Sequence, residues 1–262
     1  MPRDRRGHRG TGWNSRGRGR VAQGVIFGSR SKSTMPTAEE ALQGRPTRPF
    51  SIAPEHLVLH TPVEGPWPEG TEVLYVAMGC FWGAERIFWQ QPGVVATATG
   101  YMGGFTPNPT YEETCTGRTG HAETVLVAYD PEQTSPELLL KEFWENHDPT
   151  TANRQGNDIG TAYRSAIYWT TEGQRLAAEA TKESFQKVLT EHGYGAITTE
   201  VRPADDAGPF YYAEDYHQQY LFKNPGGYCN HGFKGMTCPV GIVKQDQLPS
   251  QESVLRTNES GA

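Results

Sequence analysis

Residues 73–89 read VLYVAMGCFWGAERIFW. Val73 to Met78 is a short, continuously apolar run, which marks a strand buried on both faces. Gly79 cuts it off. Gly83 to Trp89 then has helical character and ends at Pro92-Gly93. A strand that passes straight into a helix sets the pattern for the rest of the core. Val94 to Thr99 predicts a second strand, and Glu123 to Tyr129 a third with Val125, Val127 and Tyr129 on one face. Ser135-Pro136 starts a helix, proline being tolerated at the first helical position, and Leu139, Leu140, Phe143 and His147 line one side of it. Ser165 to Trp169 is a fourth strand. Thr171 to Leu189 predicts a long helix with Leu176, Ala180 and Val188 inward, and Ile197 to Val201 a last strand. The order strand–helix–strand–strand–helix–strand predicts an α+β domain, a two-layer α/β sandwich with a ferredoxin-like split βαβ core.

Outside this core the chain changes character. Residues 1–34 are rich in Arg, Gly and Ser, with too few apolar groups to offset the entropy of ordering, and are expected to be disordered. Three readings compete for them: a transit peptide, against which the glycines argue; an RNA-binding tail; and an upstream extension, with the true start at Met35. Residues 35–70 carry seven prolines and predict an extended arm, residues 71–243 the catalytic domain, and 244–262 a disordered tail. Residues 1–37 have a net charge of +8 and the remainder −14. An acidic body argues against nucleic-acid binding outside the N-terminal segment. No window approaches the roughly 20 apolar residues of a membrane span. Four cysteines in 262 residues form no disulfide framework, so a reducing, cytoplasmic setting is expected, where a disulfide is more often catalytic than structural.

Cys80 sits where the first strand meets the first helix. Free backbone N–H groups and the positive end of the helix dipole favour a thiolate there, so a depressed pKa is expected. The plain alternative is a buried structural cysteine. Glu123 opens a strand; partial desolvation would raise its pKa and make it a proton donor, whereas a solvated strand-end carboxylate would do nothing. Asp158 and Tyr163 lie in a polar loop, and Tyr101 and Tyr111 in a turn-rich one; either loop could bind a ligand or only connect. Cys229 and Cys238 stand nine residues apart among glycines, mobile enough to carry a thiol to a partner. Two idle thiols are one alternative. A zinc site with His231 and His217 is another, although the close CxxC pair usual in such sites is missing. The cluster Tyr211, Tyr212, Tyr216, His217 and Tyr220 reads as packing.

Five blocks carry a resemblance: GCFWGAE at 79–85, GYMGGFTPNPTYEETCTGRTGHAE at 100–123, FWENHDPT at 143–150, RQGNDIGTAYRSAIY at 154–168 and FYYAEDYHQQYL at 210–221. In order and together, from about residue 37 to 243, they resemble the A-type peptide methionine sulfoxide reductases. The resemblance implies reduction of free or protein-bound methionine S-sulfoxide without a prosthetic group or metal. Cys80 matches the nucleophile, Glu123 the acid, Tyr111 and Tyr163 the phenols that bind the sulfoxide oxygen, and Asp158 a group acting nearby. Phe81 and Trp82 match the wall that receives the methyl group. It further implies that Cys229 resolves the sulfenic acid left on Cys80, and that Cys238 moves the disulfide to 229–238 for reduction by thioredoxin or another dithiol. Cys115 matches a position without an essential role. A monomer is expected. The stretch NHGFKGMTC at 230–238 departs from the plainer Gly/Ile stretch of many members.

Overall fold

The computed structural model describes residues 32–243. The disordered segments expected at 1–34 and 244–262 therefore lie outside the described residues, apart from 32–34. The elements run β1 (Glu72–Met78), α1 (Phe81–Trp89), β2 (Val94–Met102), α2 (Tyr111–Cys115), β3 (Ala122–Tyr129), α3 (Pro136–Glu145), β4 (Arg154–Gln155), β5 (Asp158–Ile159), β6 (Ser165–Trp169), α4 (Glu172–Glu191), β7 (Glu200–Pro203), α5 (Ala204–Ala207), β8 (Tyr211–Tyr212) and α6 (Tyr220–Lys223). This is a mixed α+β domain.

Its main sheet has the order β7-β6-β1-β3-β2-β8. Neighbours are antiparallel except for β6 and β7, which are parallel. Strand β3 is inserted between β1 and β2, the two strands joined by α1. Alternation along each strand divides the residues between two faces. Leu74, Val76, Met78, Val125, Val127, Tyr129 and Ile167 pack on one side with Phe81 and Phe88 of α1, Leu139 and Phe143 of α3, and Phe185 of α4. On the other side Ala96, Ala98, Leu126 and Ala128 meet Val63, Ile52 and Trp67 from the segment before β1. Every residue of β3 is buried in consequence, since a strand covered on both faces has no polar side to show.

Two expectations need correction. The inward face of α4 is Gln174, Ala177, Ala178, Thr181, Phe185 and Leu189, while Leu176, Ala180 and Val188 flank it, only half-buried. Small residues mark that face because α4 must approach α3 closely: the Trp144 indole Nε1 donates to Thr181 Oγ1 at 2.9 Å. The last core strand begins at Glu200 rather than Ile197. The N–H groups of Ile197 and Thr198 are already engaged, by the Gln186 side chain at 2.7 Å and the Pro149 carbonyl at 2.8 Å, and so are lost to the sheet.

Candidate active site

The turn at Gly79 places the first functional group. Its φ is +94°, and a Cβ there would come within 2.5 Å of the Gln155 side chain, so glycine is needed for both conformation and space. Cys80 comes next, at the N-cap of α1. The free donors of the helix start are shared out. Phe81 N donates to Glu123 Oε2 at 3.0 Å, and the N–H groups of Trp82 and Gly83 turn towards the Cys80 sulfur. They do not win. Burial, and next the charge of Glu123, push the Cys80 thiol well above its ordinary value. The depressed pKa expected from the helix terminus is thus overturned: with 6% of its surface exposed, the sulfur loses more solvation than two backbone dipoles return.

Glu123, the second residue of β3, is fully buried, and burial pushes its carboxyl up to about 8. At neutral pH it is a protonated acid beside the thiol. Tyr111 and Tyr163 stand around the same point. Burial raises both phenols, the charge of Glu123 adds to this, and Tyr163 also senses Tyr111 and Asp158. Both phenols are therefore hydrogen-bond donors at any ordinary pH. Tyr111 opens the short helix α2, where the residue pattern suggests only a loop; its phenol lies close enough to the Cys115 thiol for each to shift the other. Asp158 lies on β5, half of a two-stranded ribbon in another stretch expected to be loop. Its Oδ2 accepts from Tyr228 at 3.1 Å and from Asn230 at 2.7 Å. Asp158 and Tyr163 line a shallow recess with Cys115 and Lys32.

An aromatic wall closes the other side. The Phe81 ring is buried against Tyr101 and His217, with centroids at 5.9 and 5.0 Å. Trp82 stacks on Tyr220 at 3.9 Å and donates its indole N–H to His217 Nδ1 at 2.9 Å. Burial lowers His217 to about 3, so it accepts as a neutral ring. The segment bearing His217 and Tyr220 is tied to α1 by Glu85, which accepts from Gln219 N at 2.8 Å and from Gln219 Nε2 at 3.0 Å. Glu214 fixes Tyr111 through its backbone N–H at 2.8 Å and takes the Tyr101 phenol at 2.9 Å. The 211–220 cluster packs, as expected, and does so against Phe81 and Trp82 through His217 and Tyr220; the anchoring contacts of Glu85 and Glu214 were missed by sequence reasoning. The available signal was carboxyls embedded in aromatic or apolar runs.

The remaining thiols lie in the irregular tail. Cys229 is half-buried against α1, where Arg86 Nη2 donates to its sulfur at 3.2 Å. Cys238 is 1% exposed, in the core beside α3 and α4. Its N–H donates to Glu145 Oε1 at 2.7 Å, and burial pushes its thiol up to about 12. All four cysteines are free thiols. Cys229, Cys238, His231 and His217 do not converge, and among the described residues no cluster of three His, Cys, Asp or Glu could hold a metal ion. The zinc alternative therefore has no site there. No helix among the described residues is long and apolar enough to cross a membrane.

Residues 72–240 match the sequence model of the peptide methionine sulfoxide reductase family. A peptide methionine sulfoxide reductase MsrA of Salinispora arenicola is 58% identical over 221 residues, spanning 84% of this chain and 99% of its own. One from Caulobacter vibrioides is 58% identical over 208 residues, 79% of this chain and 94% of its own. Among solved structures, methionine sulfoxide reductase A of Corynebacterium diphtheriae superposes with a TM-score of 0.70 at 47% identity, covering 80% of this chain and all of that one.

Proposed function

Since the chain belongs to the peptide methionine sulfoxide reductase family and is an oxidoreductase that returns methionine sulfoxide to methionine, we propose that Cys80 is its nucleophile and Glu123 its acid, acting on the S epimer. One observation carries this: Glu123 accepts the first N–H of α1, directly after Cys80, and burial keeps it protonated.

The sulfoxide oxygen is a poor leaving group until it is protonated, and Glu123 offers the proton. The phenols of Tyr111 and Tyr163 donate hydrogen bonds to the same oxygen as its charge grows, the kind of preorganised stabilisation that acts most strongly in a dry site. Asp158 orients this polar side, and Phe81 and Trp82 receive the methyl group. As the Cys80 sulfur attacks the protonated sulfoxide, a bond forms from Cys80 sulfur to the oxygen, the sulfur–oxygen bond of the substrate breaks, and methionine leaves with that electron pair. The oxygen stays on Cys80 as a sulfenic acid, the reversible first rung of cysteine oxidation. The thiol hydrogen ends on that oxygen, and Glu123 recovers the proton it lent. A buried, protonated thiol suits this sequence, because the thiolate forms beside a neutral carboxyl instead of a charged one.

Cys229 then attacks the sulfenic sulfur, releasing water and leaving an 80–229 disulfide. Cys238 exchanges into it, giving 229–238 and freeing Cys80. A dithiol of the thioredoxin class restores the thiols, with no prosthetic group or metal. The substrates are oxidised proteins and free methionine sulfoxide, the working unit is a monomer, and the compartment is the cytoplasm, where such thiols stay reduced. We read the β6-β1-β3-β2 order as the ferredoxin-like split βαβ core, preceded by an arm over 35–70, within a catalytic domain ending at 243.

The test is to supply S- and R-methionine sulfoxide separately to the pre-reduced protein with dithiothreitol and to quantify methionine. Methionine from the S epimer alone is expected. Methionine from the R epimer, or from neither with folding verified, would overturn the reading.

A further inference from the structure

His231 lies two residues beyond Cys229, in the stretch where this chain departs from the plainer tails it resembles. Its Nε2 is 2.7 Å from the carbonyl oxygen of Met78. A carbonyl only accepts, so Nε2 carries the proton and Nδ1 is left as a bare lone pair. That Nδ1 is shut off from solvent and has no hydrogen-bond partner, a costly state for a buried acceptor. It faces the start of α1. A methyl group placed on Gly83 would lie 2.4 Å from His231 Nδ1 and 2.8 Å from Cys229 Sγ. The ring nitrogen and the thiol therefore share one notch, opened by the missing side chain at position 83. The notch adjoins Cys80, whose sulfur the Gly83 N–H approaches. On its other side the Cys229 sulfur receives the guanidinium of Arg86 at 3.2 Å.

We infer that His231 is the proton relay of the resolving step, its Nδ1 taking the Cys229 thiol proton as that sulfur attacks the Cys80 sulfenic acid. The inference rests on the assignment of Cys80 and Cys229 made above. The S–S bond forms and the S–O bond of Cys80 breaks. The departing hydroxyl takes the proton from Nδ1 and leaves as water, so the two sulfurs supply all the electrons and no outside oxidant enters. Arg86 stabilises the negative charge that develops on the attacking sulfur. Burial lowers the imidazole to about 4, so the ring is neutral at physiological pH and its lone pair is vacant. The ring need hold the proton only in transit, because hydroxide is by far the stronger base. Zinc ligation gives no account of the bare nitrogen, since among the described residues no group of three His, Cys, Asp or Glu could hold a metal ion there.

The experiment mixes the pre-reduced full chain with one equivalent of methionine S-sulfoxide in a rapid-quench apparatus. Methionine release and the lifetime of the Cys80 sulfenic acid, trapped with dimedone, are followed separately. His231→Gln keeps an N–H for the Met78 carbonyl but has no base. It should lengthen the sulfenic acid lifetime by roughly 100-fold or more, with methionine released at the wild-type rate. His231→Gly should be equally slow and should recover on adding imidazole. An unchanged lifetime in His231→Gln, methionine release slowed in proportion, or no response of His231→Gly to imidazole would each overturn the relay. If the wild-type chain itself formed no 80–229 disulfide, the assignment of the thiols would fall instead.

Discussion

The first thiol and the two that succeed it are held in opposite ways. Cys80 is fixed by regular structure, with a buried strand before it, a helix after it, and a carboxyl from the neighbouring strand on the first N–H of that helix. Cys229 and Cys238 sit in a segment without helix or strand, pinned by single polar contacts, with only Met236 and Cys238 seated in the core. Tyr228 and Asn230 hold Asp158, His231 holds the Met78 carbonyl, and the N–H groups of Lys234 and Cys238 hold Glu145. The difference suits the proposed chemistry. Attack on a sulfoxide needs groups set in advance. A disulfide needs two sulfurs brought to about 2.05 Å, and in the proposed cycle, which makes two disulfides in turn, the chain must travel. Exchangeable hydrogen bonds allow this where a packed helix would not.

The comparison breaks most sharply at the cysteines. Cys80→Ser should abolish methionine formation, by at least about a thousandfold, because Cys80 is the thiol held at the start of α1 beside the Glu123 carboxyl. Cys229→Ser should still give one equivalent of methionine per chain and then stall with Cys80 oxidised. Equal yields from the two variants in a single-turnover assay would remove the division between the regions.

Next in size is Glu123→Gln. Gln keeps an acceptor for the Phe81 N–H and loses the proton, so methionine release should slow by about 100-fold. Wild-type release should fall as pH rises through about 8, where Glu123 ionises, and the variant should lack that limb. In the variant, stability moves opposite to activity. The carboxyl is raised from 4.5 to about 8 in the folded state, so between those values the folded chain holds a proton that the unfolded chain has lost. That stability is fully present below about 4.5 and declines as pH rises to about 8. Glu123→Gln escapes the loss and should be more stable than wild type by on the order of 2–3 kcal/mol near pH 7. Denaturant melts at pH 4 and pH 7.5 check this; a gap that fails to widen with pH would mean that the carboxyl is not desolvated.

The same division marks what could be read from the residues. Strand and helix periods placed Cys80 at a junction and Glu123 at a strand start but left the plain alternatives open; only the resemblance gave the two residues roles. The family blocks located Tyr111, Asp158 and Tyr163, although α2 and the β4–β5 ribbon were too short to show a period. The direction of the Cys80 pKa was misjudged because the helix dipole is written in the sequence nearby, whereas the desolvation that outweighs it comes from the whole fold. Glu85 and Gln219 are 134 residues apart, and no local pattern announces such a contact. Cys238 looked like a thiol on a free tail, since nothing in a Gly-rich stretch reveals that it docks on α3 and α4.

The smallest effect tests the pins themselves. Asn230 donates to Asp158 Oδ2 at 2.7 Å and to the Gln155 carbonyl at 3.2 Å. Such bonds contribute about 0.5–1.5 kcal/mol each. Asn230→Ala should therefore favour local opening around Cys229 by about 1–2 kcal/mol, roughly a five- to thirtyfold rise in its alkylation by iodoacetamide. Global stability should hardly change, because the sheet and helices lose no packing. The informative quantity is Cys238, anchored nine residues on through Glu145 and 1% exposed. If the tail opens pin by pin, Cys238 stays as slow as in wild type and only Cys229 accelerates. If both accelerate together, residues 228–238 leave as one unit. The second thiol would then be delivered to Cys80 by undocking the third, so the two exchanges would share one motion.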